Sequence, residues 1–420
     1  MNAISRDKKQ ENRPSTNFIS RRNLLVTSTS VFAAASIQSS ALITSAKAQQ
    51  HGPARTVTPS SEELTQRTTE RRGVEVAIWG MPIVNFDAMR QAFFRDAKAT
   101  YSDIMFWSKP GSWKLQCLTP NTSVRYVFSF INTSQAGPVV VELPATADAA
   151  LNGTIIDAWQ VPLTDVGIAG EDQGKGGKYL LVPPDYRMVS EEPVQPRDAG
   201  MMRMLRTLGI DKGKEFKSDE TTRAALKAAA QEAHAWFMDR LVTYGVHYWS
   251  DGKWDVPAPP IGPKSGFTWE ADGILDVDAR GIAFFSFFCP PKKLGTGQFY
   301  LVTFFDGGGQ RLRGGETYRL RVPGDVPVTQ FWSVTVYEHA TCALIRNAAR
   351  PSMDSYDTRA SKNADGSMDV YFGPKALKGL EANWIPTVAG KDWFPYFRFY
   401  GPQQPLFAKS WKLPDIKKMS

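Results

Sequence analysis

The stretch QFWSVTVY at residues 330–337 mixes β-branched residues with large aromatic rings, a composition typical of a β-strand. Two other runs of this kind precede it, GIAFFSFF at 281–288 and QFYLVTF at 298–304. Glycine-rich and proline-rich turns separate the runs, and we therefore predict a strand-rich block over residues 256–420. Short strands spaced in this way favour an antiparallel β-sandwich.

An earlier part of the chain has the same character. The runs SVRYVFSF at 123–130 and PVVVEL at 138–143 are predicted strands, and Gly, Pro and Asn punctuate the sequence between them. We therefore predict a mainly β protein with helical additions, in which a first β-sandwich spans 101–195 and a second spans 256–420.

Helical patterns flank the first block. An N-terminal helical segment is predicted over 49–100, beginning near Ser61 and forming two helices with a kink or break at Gly80-Met81-Pro82. A helical connector is predicted over 196–255, with an alanine-rich helix that continues through Leu241. The proline-rich segment at 256–263 is predicted to be a linker.

The N-terminus has the pattern of an export signal. Adjacent arginines at 21–22 precede a mildly apolar stretch that runs to Ser45, and Ala46-Lys47-Ala48 supplies small residues for cleavage. We predict a twin-arginine-type signal peptide at 1–48, and hence a periplasmic or secreted protein. An ordinary secretory signal or a basic tail is the alternative.

The charge balance argues against nucleic-acid binding. The 420 residues carry a formal net charge of +8, but the predicted signal peptide holds seven basic and two acidic residues. The rest of the chain therefore has 43 basic and 40 acidic residues and a net charge of +3. Its Lys and Arg residues are interleaved with acids and form no basic stripe. No later apolar run is long enough to cross a bilayer, and we predict no transmembrane segment.

A glycine-rich loop in the first block carries charged residues. The stretch GEDQGKGGK at 170–178 fails the Walker pattern, because Lys175 stands where the second glycine is needed and a strand follows. Asp165, Asp172 and Lys175 could form the polar wall of a site, with the two carboxylates doing acid–base work. The alternative is a structural turn held by internal ion pairs and hydrogen bonds.

Other candidates pair an aromatic ring with an amide. Trp159 with Gln160, and Trp384 with Asn383, suit stacking on a sugar ring and hydrogen bonding to its hydroxyls. Tyr337 and Arg398 complete this predicted substrate-binding set. The alternative is that these side chains pack the protein interior.

Histidine and cysteine give weak signals. His339 is the third predicted catalytic residue, because Glu338 is adjacent and Ser333 lies in the preceding strand. The four histidines show no metal-ligand spacing, so no His-centred metal site is predicted, although a calcium site of Asp and backbone oxygens stays open. The sequence identifies no cofactor. The three cysteines, Cys117, Cys289 and Cys342, lie in apolar or strand contexts and are predicted to be buried and inert.

Several motifs occur in order in each block. The first block contains DAWQ at 157–160, DVG at 165–167, GEDQGKGGKYL at 170–180 and PPDY at 183–186. The second contains FWSVTVY at 331–337, DGS at 365–367, YFGP at 371–374, NWIP at 383–386 and FRFYGP at 397–402. Together they resemble the paired families of unknown function numbered 1254 and 1214. The resemblance implies an exported bacterial protein with two jelly-roll-like sandwiches that forms homo-oligomers, and it implies no particular reaction.

Two functional hypotheses follow. One is an exported enzyme, hydrolase- or lyase-like, that acts on a glycan, an ester or a related environmental compound through Asp165, Asp172 and His339. The other is a non-catalytic ligand-binding or envelope-associated protein that holds a small molecule, a glycan or a partner on aromatic surfaces. The enzyme hypothesis predicts that the candidate residues converge on one pocket.

Overall fold

The structure is a computed structural model that describes residues 59–146, 149–183, 199–257, 266–271, 274–293 and 295–419. The predicted signal peptide at 1–48 lies outside the described residues, as do the end of the first predicted sandwich at 184–195 and most of the predicted linker at 256–263.

The described residues form six α-helices and nineteen strands. The helices are α1 (Ser61–Asp96), α2 (Thr133–Ala136), α3 (Ala199–Thr207), α4 (Glu220–Thr243), α5 (Val277–Ser286) and α6 (Gln404–Phe407). Strands of the N-terminal half are β1 (Met105–Phe106), β2 (Val127–Phe128), β3 (Val139–Leu143), β4 (Asn152–Ile156), β5 (Pro162–Gly167), β6 (Gly177–Leu181), β7 (Val246–His247) and β8 (Asp255–Val256). The remaining strands are β9 (Glu270–Ala271), β10 (Ile274–Leu275), β11 (Gln298–Val302), β12 (Tyr318–Val322), β13 (Val328–Glu338), β14 (Ala343–Leu344), β15 (Ser352–Asp354), β16 (Met368–Gly373), β17 (Trp384–Pro386), β18 (Trp393–Pro402) and β19 (Lys417–Lys418).

Two sheets of the C-terminal block share one core. A seven-stranded sheet has the order β14-β13-β18-β11-β8-β7, with β15 also paired to β13, and a four-stranded sheet has the order β17-β16-β12-β19. Val334 and Phe397 of the larger sheet and Leu320 and Val370 of the smaller one lie in the same cluster of fully buried side chains. The two sheets therefore bury their facing apolar sides against each other.

The N-terminal block is built from smaller sheets. Strands β1 and β2, β3 and β6, and β4 and β5 form three separate antiparallel pairs. The predicted strand at 138–143 is confirmed as β3. Among the described residues the pairing is antiparallel apart from β16 with β17, so the mainly β architecture with helical additions is confirmed, whereas the jelly-roll topology stays a prediction.

Helix α1 runs unbroken through Pro82, so the predicted division into two helices is wrong. Pro82 has no N–H to donate to the carbonyl of Ile78, and that carbonyl is left without its helical partner. Gly281 of α5 lies against it, since a Cβ on Gly281 would be only 2.8 Å from the Ile78 oxygen. Close packing of α1 on α5, together with buried Ile78, Phe237 and Ile282, holds the helix across the proline.

Helix α5 corrects a second prediction, because residues 281–286 were expected in a strand. The Asp276 carboxylate caps the helix by accepting from the Ala279 N–H at 2.9 Å. Ala279, Ile282, Ala283 and Phe284 are all buried, so nearly the whole circumference of the helix is covered. A helix buried on all sides is apolar all round, and its sequence is not distinguishable from a buried strand by periodicity.

Within the described part of the chain, no helix has both the length and the apolar content that a bilayer span requires.

Candidate functional site

Arg398 occupies the middle of the larger sheet. It lies on β18, with Ser333 of β13 directly opposite on one side and Tyr300 of β11 directly opposite on the other. Its side chain shares the face of β18 that carries Tyr396 and Tyr400, because side chains alternate along a strand. Only 2% of Arg398 is exposed to solvent.

Three tyrosine rings surround the guanidinium. The Arg398 Cζ lies 4.9 Å from the centroid of the Tyr300 ring, 5.1 Å from that of Tyr396 and 5.6 Å from that of Tyr337. A cation desolvated against aromatic faces gains about 2 kcal/mol from such a contact. The rings therefore offset part, but not all, of the cost of burying this charge.

The hydrogen bonding of Arg398 is incomplete. Its Nη2 donates to the carbonyl oxygen of Thr119 at 2.7 Å, while its Nη1 is buried and has no partner among the described residues. Its strongest charge interactions are with tyrosines, and none of the salt bridges among the described residues includes it. A buried guanidinium without a counter-charge costs several kcal/mol, so this position calls for an anion.

Two hydroxyls beside Arg398 are also unsatisfied. The Oγ of Ser333 and the Oγ1 of Thr335 are buried and make no hydrogen bond of good geometry with a described residue, although Thr335 lies close enough to the Tyr337 hydroxyl to lower its pKa. Both lie on the β13 face that carries Tyr337 and abuts Arg398. Since buried polar groups in proteins are almost always hydrogen-bonded, unsatisfied groups this close together indicate a place for a bound species. We call Arg398, Tyr300, Tyr337, Tyr396, Ser333 and Thr335 the Arg398 site.

A segment from the N-terminal block closes this site. We call residues 119–123 the covering segment. The Tyr337 hydroxyl donates to the carbonyl oxygen of Pro120 at 2.8 Å, and the Asn121 side chain donates from Nδ2 to the Tyr400 oxygen at 2.6 Å. Thr122 and Ser352 are hydrogen-bonded through their hydroxyls. The covering segment therefore lies directly on the polar face of the sheet.

The backbone of the covering segment is strained at its start. Thr119 has φ of 37°, in the left-handed region that a β-branched residue avoids. Its N–H donates to the Cys342 carbonyl at 2.7 Å, and its Oγ1 donates to the Ser286 carbonyl at 2.9 Å. These two hydrogen bonds, with the one from Arg398, hold Thr119 in a conformation that costs about 1–2 kcal/mol.

The tyrosines of the site are proton donors at neutral pH. Burial raises the pKa of Tyr337 to about 12, against a lowering effect of Arg398, and burial likewise raises the pKa of Tyr396. Both hydroxyls therefore stay protonated and can donate to an anion. Burial also raises the pKa values of Tyr300 and Tyr126, so their hydroxyls likewise stay protonated.

The two predicted catalytic aspartates each hold a loop. Asp165 is buried and accepts from the backbone N–H groups of Lys292 at 2.7 Å and Lys293 at 2.8 Å. Asp172 accepts from the Gly167 N–H at 2.6 Å and from the Tyr179 hydroxyl at 3.1 Å. Their oxygens are used in joining segments of the chain.

The rest of the glycine loop is folded around Asp172. Gly174 and Gly176 have φ of 75° and 77°, and a Cβ on Gly176 would be 2.6 Å from the Leu143 carbonyl oxygen. Lys175 is exposed on this turn. The positive φ values and the close backbone approach form a turn that only glycine accommodates without strain.

The ring-and-amide pairs lie in two other places. Gln160 is buried, donates to the Pro82 carbonyl at 2.9 Å and accepts from the Cys289 N–H at 3.1 Å, and Trp159 lies 4.8 Å from the Trp79 ring centroid. Both side chains therefore contact helix α1, Gln160 at Pro82 and Trp159 at Trp79.

The second pair lies on the smaller sheet. Asn383 donates to the carbonyls of Ser361 and Asp369, each at 2.8 Å, and Trp384 donates from its indole to the Gly373 carbonyl at 3.0 Å. Each of these polar atoms is used to join strands and loops.

His339 follows strand β13, beside the rings of Phe304 and Phe394. Burial lowers its pKa to about 4, with Arg311 acting in the same direction, so the imidazole is neutral at physiological pH. Neighbouring Glu338 is paired with Lys391 at 2.7 Å. Among the described residues, no group of His, Cys, Asp or Glu is arranged to hold a metal ion.

The ten candidates fall in separate places and do not form one site. Tyr337 and Arg398 meet on the larger sheet, and Asp165, Asp172 and Lys175 lie in or beside the glycine loop. The two ring-and-amide pairs and His339 contact other parts of the fold. Sequence reasoning did not single out Tyr300, Tyr396 or Thr119. The sequence indicates the site through one charged residue, Arg398, in the strand run FRFYG at 397–401. Because side chains alternate along a strand, Arg398 lies on the face opposite to that of Phe397 and Phe399.

None of the curated proteins matches this chain. Two solved structures each align with 84% of this chain. One is the VPA0106 protein from Vibrio parahaemolyticus, of which 100% is covered, with 14% sequence identity and a TM-score of 0.46. The other is an uncharacterized protein from Burkholderia cenocepacia, of which 94% is covered, with 16% sequence identity and a TM-score of 0.40. Residues 103–244 match the family model of DUF1254, and residues 297–404 match that of DUF1214, each described as a protein of unknown function. The chain is thus similar to these two families in succession, the pairing that its motifs predict.

Proposed function

We propose that this protein binds a small anionic ligand at the Arg398 site, between the larger sheet and the covering segment. The ligand supplies the negative charge that the buried guanidinium lacks. It accepts hydrogen bonds from Arg398 Nη1, from the hydroxyls of Ser333 and Thr335, and from protonated tyrosines.

One observation carries the proposal: Arg398 is 2% exposed, has a buried Nη1 without a partner and has no paired carboxylate among the described residues. A purely structural arginine is found with its donors satisfied and its charge paired. Most of the other predicted site residues have structural explanations, because the polar side-chain atoms of Asp165, Asp172, Gln160, Asn383 and Trp384 already have partners in the fold. The Nε2 of His339 is also buried without a partner among the described residues, but its imidazole is neutral and needs no counter-charge.

The chemistry of the site favours binding over catalysis. A tyrosine with a pKa of about 12 is a weak general base at neutral pH, because very little phenolate is present. Asp165 and Asp172 are engaged by backbone N–H groups. The hydrolase- or lyase-like activity stays a prediction that no geometry of these residues supports.

The proposal includes expectations carried over from the sequence. The leader at 1–48 supports a periplasmic or secreted binding protein. The resemblance to the two families supports homo-oligomers and a jelly-roll topology for the sandwiches.

The test is anion binding by the purified full-length chain in a buffer of bulky, weakly bound ions. Thermal denaturation and titration calorimetry are run with acetate, benzoate, phosphate and chloride. We expect at least one anion to raise the Tm of the wild-type protein and of Arg346→Met, a control at an exposed arginine. We expect no rise for Arg398→Met. The proposal is wrong if no anion stabilises the wild type, or if Arg398→Met responds as the wild type does.

A further inference from the structure

We propose that the ligand of the Arg398 site is a carboxylate and that it binds by displacing the covering segment, whose carbonyl oxygens at Thr119 and Pro120 accept from Arg398 and Tyr337 in the covered state. This inference rests on the proposed function, since it names the ligand class and the gate of the same site.

The two carbonyls mark where acceptor oxygens sit. The Thr119 oxygen accepts from Arg398 Nη2 at 2.7 Å, and the next oxygen along the chain, that of Pro120, accepts from the Tyr337 hydroxyl at 2.8 Å. A carboxylate also offers two acceptor oxygens, although they lie closer together than the oxygens of two successive carbonyls. A carboxylate also brings the charge that a carbonyl lacks, and charge-assisted hydrogen bonds are roughly twice as strong as neutral ones.

The unpartnered Nη1 of Arg398 supports replacement of the covering segment by a carboxylate. With Nη2 held by the Thr119 carbonyl, Nη1 has no partner. A guanidinium binds a carboxylate through two parallel N–H groups, which a single backbone carbonyl cannot satisfy. The covered state therefore leaves Nη1 of Arg398 available for a second acceptor oxygen.

The covering segment is held by hydrogen bonds of two kinds. Those from Arg398 and Tyr337 to the carbonyls of Thr119 and Pro120 use donors that the ligand takes over. The others join Thr119 to Cys342 and Ser286, Asn121 to Tyr400 and Tyr126, and Thr122 to Ser352, and they break when the segment leaves. Release of the strained φ of Thr119 and pairing of the buried charge with a carboxylate offset this loss.

The covering segment and the hydrogen-bond donors of the Arg398 site come from different parts of the chain. The covering segment lies within the stretch similar to DUF1254, whereas Arg398 and Tyr337 lie within that similar to DUF1214. Displacement of the segment would therefore make ligand binding visible in the N-terminal family region.

Two measurements on the full-length protein test the gate, with benzoate as the probe. Hydrogen–deuterium exchange of residues 119–123 is followed with and without saturating benzoate, and we expect exchange to become at least about tenfold faster when benzoate is bound. Benzoate affinity is then measured for Ser352→Ala, which removes the partner of Thr122 from outside the site. We expect about fivefold tighter binding, because loosening the covered state by about 1 kcal/mol raises the open fraction by that factor.

The matched control is Ser367→Ala. Ser367 makes side-chain hydrogen bonds with Asp365 and Asn363 beside the smaller sheet, away from the covering segment. We expect its benzoate affinity to equal that of the wild type.

The outcomes separate this inference from the proposed function. Unchanged or slower exchange with benzoate bound, or an unchanged affinity in Ser352→Ala, overturns the gate and leaves anion binding in place. Binding of phosphate or chloride without benzoate or acetate overturns the carboxylate class alone. No binding of any anion by the wild type or by Ser352→Ala overturns both.

Discussion

Ser333 and Arg398 stand directly opposite each other in the β13–β18 pair, and each leaves a buried polar atom without a hydrogen-bond partner, the Oγ of one and the Nη1 of the other. Such atoms each cost about 1–3 kcal/mol when they stay unsatisfied. Two of them on adjacent strands, around an unpaired buried charge, distinguish this point of the sheet from the apolar face behind it. That opposite face carries Val334 and Phe397 and packs against the smaller sheet.

Replacing Arg398 tests this energetic argument without any ligand. We expect Arg398→Met to be as stable as the wild type within about 1 kcal/mol, or more stable, because the substitution removes an uncompensated buried charge and keeps an apolar chain of similar length. Urea unfolding in an anion-poor buffer measures the difference. A loss of more than about 3 kcal/mol would mean that Arg398 is compensated in the fold and would count against an empty anion site.

The glycine loop offers a paired test of its structural role. In Gly176→Ala, the new Cβ meets the Leu143 carbonyl at 2.6 Å and the backbone keeps φ of 77°, so we expect the free energy of unfolding to fall by about 3 kcal/mol or more. Gly379→Ala is the control, since its φ is 82° but nothing lies within 4 Å of the added Cβ. We expect that variant to lose only about 1 kcal/mol. Equal losses in the two variants would show that close packing at Gly176 is unimportant.

His339 makes stability depend on pH in a defined window. Burial lowers its pKa to about 4 in the folded chain, while in the unfolded chain it is about 6.5, so the unfolded state takes up the proton first. The stabilisation is therefore complete above pH 6.5 and is lost as pH falls toward 4, with a slope of at most about 1.4 kcal/mol per pH unit.

The variant His339→Gln isolates this contribution. Denaturant midpoints measured between pH 6.5 and 4 are expected to fall less steeply in His339→Gln than in the wild type. Points below pH 4 are left out, because Asp357 and Asp365 have pKa values of about 2, lowered first by Arg359 and by Ser367 respectively, and their contributions are lost there. Parallel curves for the two proteins would contradict the assignment to His339.

Three of the five predicted strand runs and the bounds of the two long helices were predictable. Helix α1 begins at Ser61 as predicted and α4 ends at Thr243, close to the predicted Leu241, whereas the run at 123–130 gives only the two residues of β2. Runs rich in β-branched and aromatic residues gave β3, β11 and β13 close to their observed bounds, because those residues suit a covered pleated surface. The same reasoning placed residues 281–286 in a strand, where burial on all sides produces α5. Pro82 was read as a break because a proline ends most helices, but the close approach of Gly281 to Ile78 is a tertiary contact that no local pattern reports.

The site was predictable only on the side that lies in a regular strand. Arg398 and Tyr337 stand in recognisable strand motifs, and their residue types suggest binding. Thr119, whose carbonyl accepts from Arg398 Nη2, lies 279 residues away and in an irregular segment. Its role depends on where the chain folds back, and on a strained backbone angle that the sequence does not encode locally.

Two tyrosine hydroxyls in the same sheet face should respond oppositely to removal. Tyr337 donates to the Pro120 carbonyl in the covered state and is expected to donate to the ligand afterwards, so Tyr337→Phe should weaken benzoate binding about tenfold, the loss of one hydrogen bond to a charged group. Tyr400 accepts from Asn121 and thereby holds the covering segment, so Tyr400→Phe should leave affinity unchanged or raise it up to about tenfold. Titration calorimetry on the two full-length variants measures both effects, with near-ultraviolet circular dichroism as the check that each remains folded. Weaker binding in both variants would show that the hydroxyls act together on the ligand, and that Asn121 and Tyr400 do not restrain the cover.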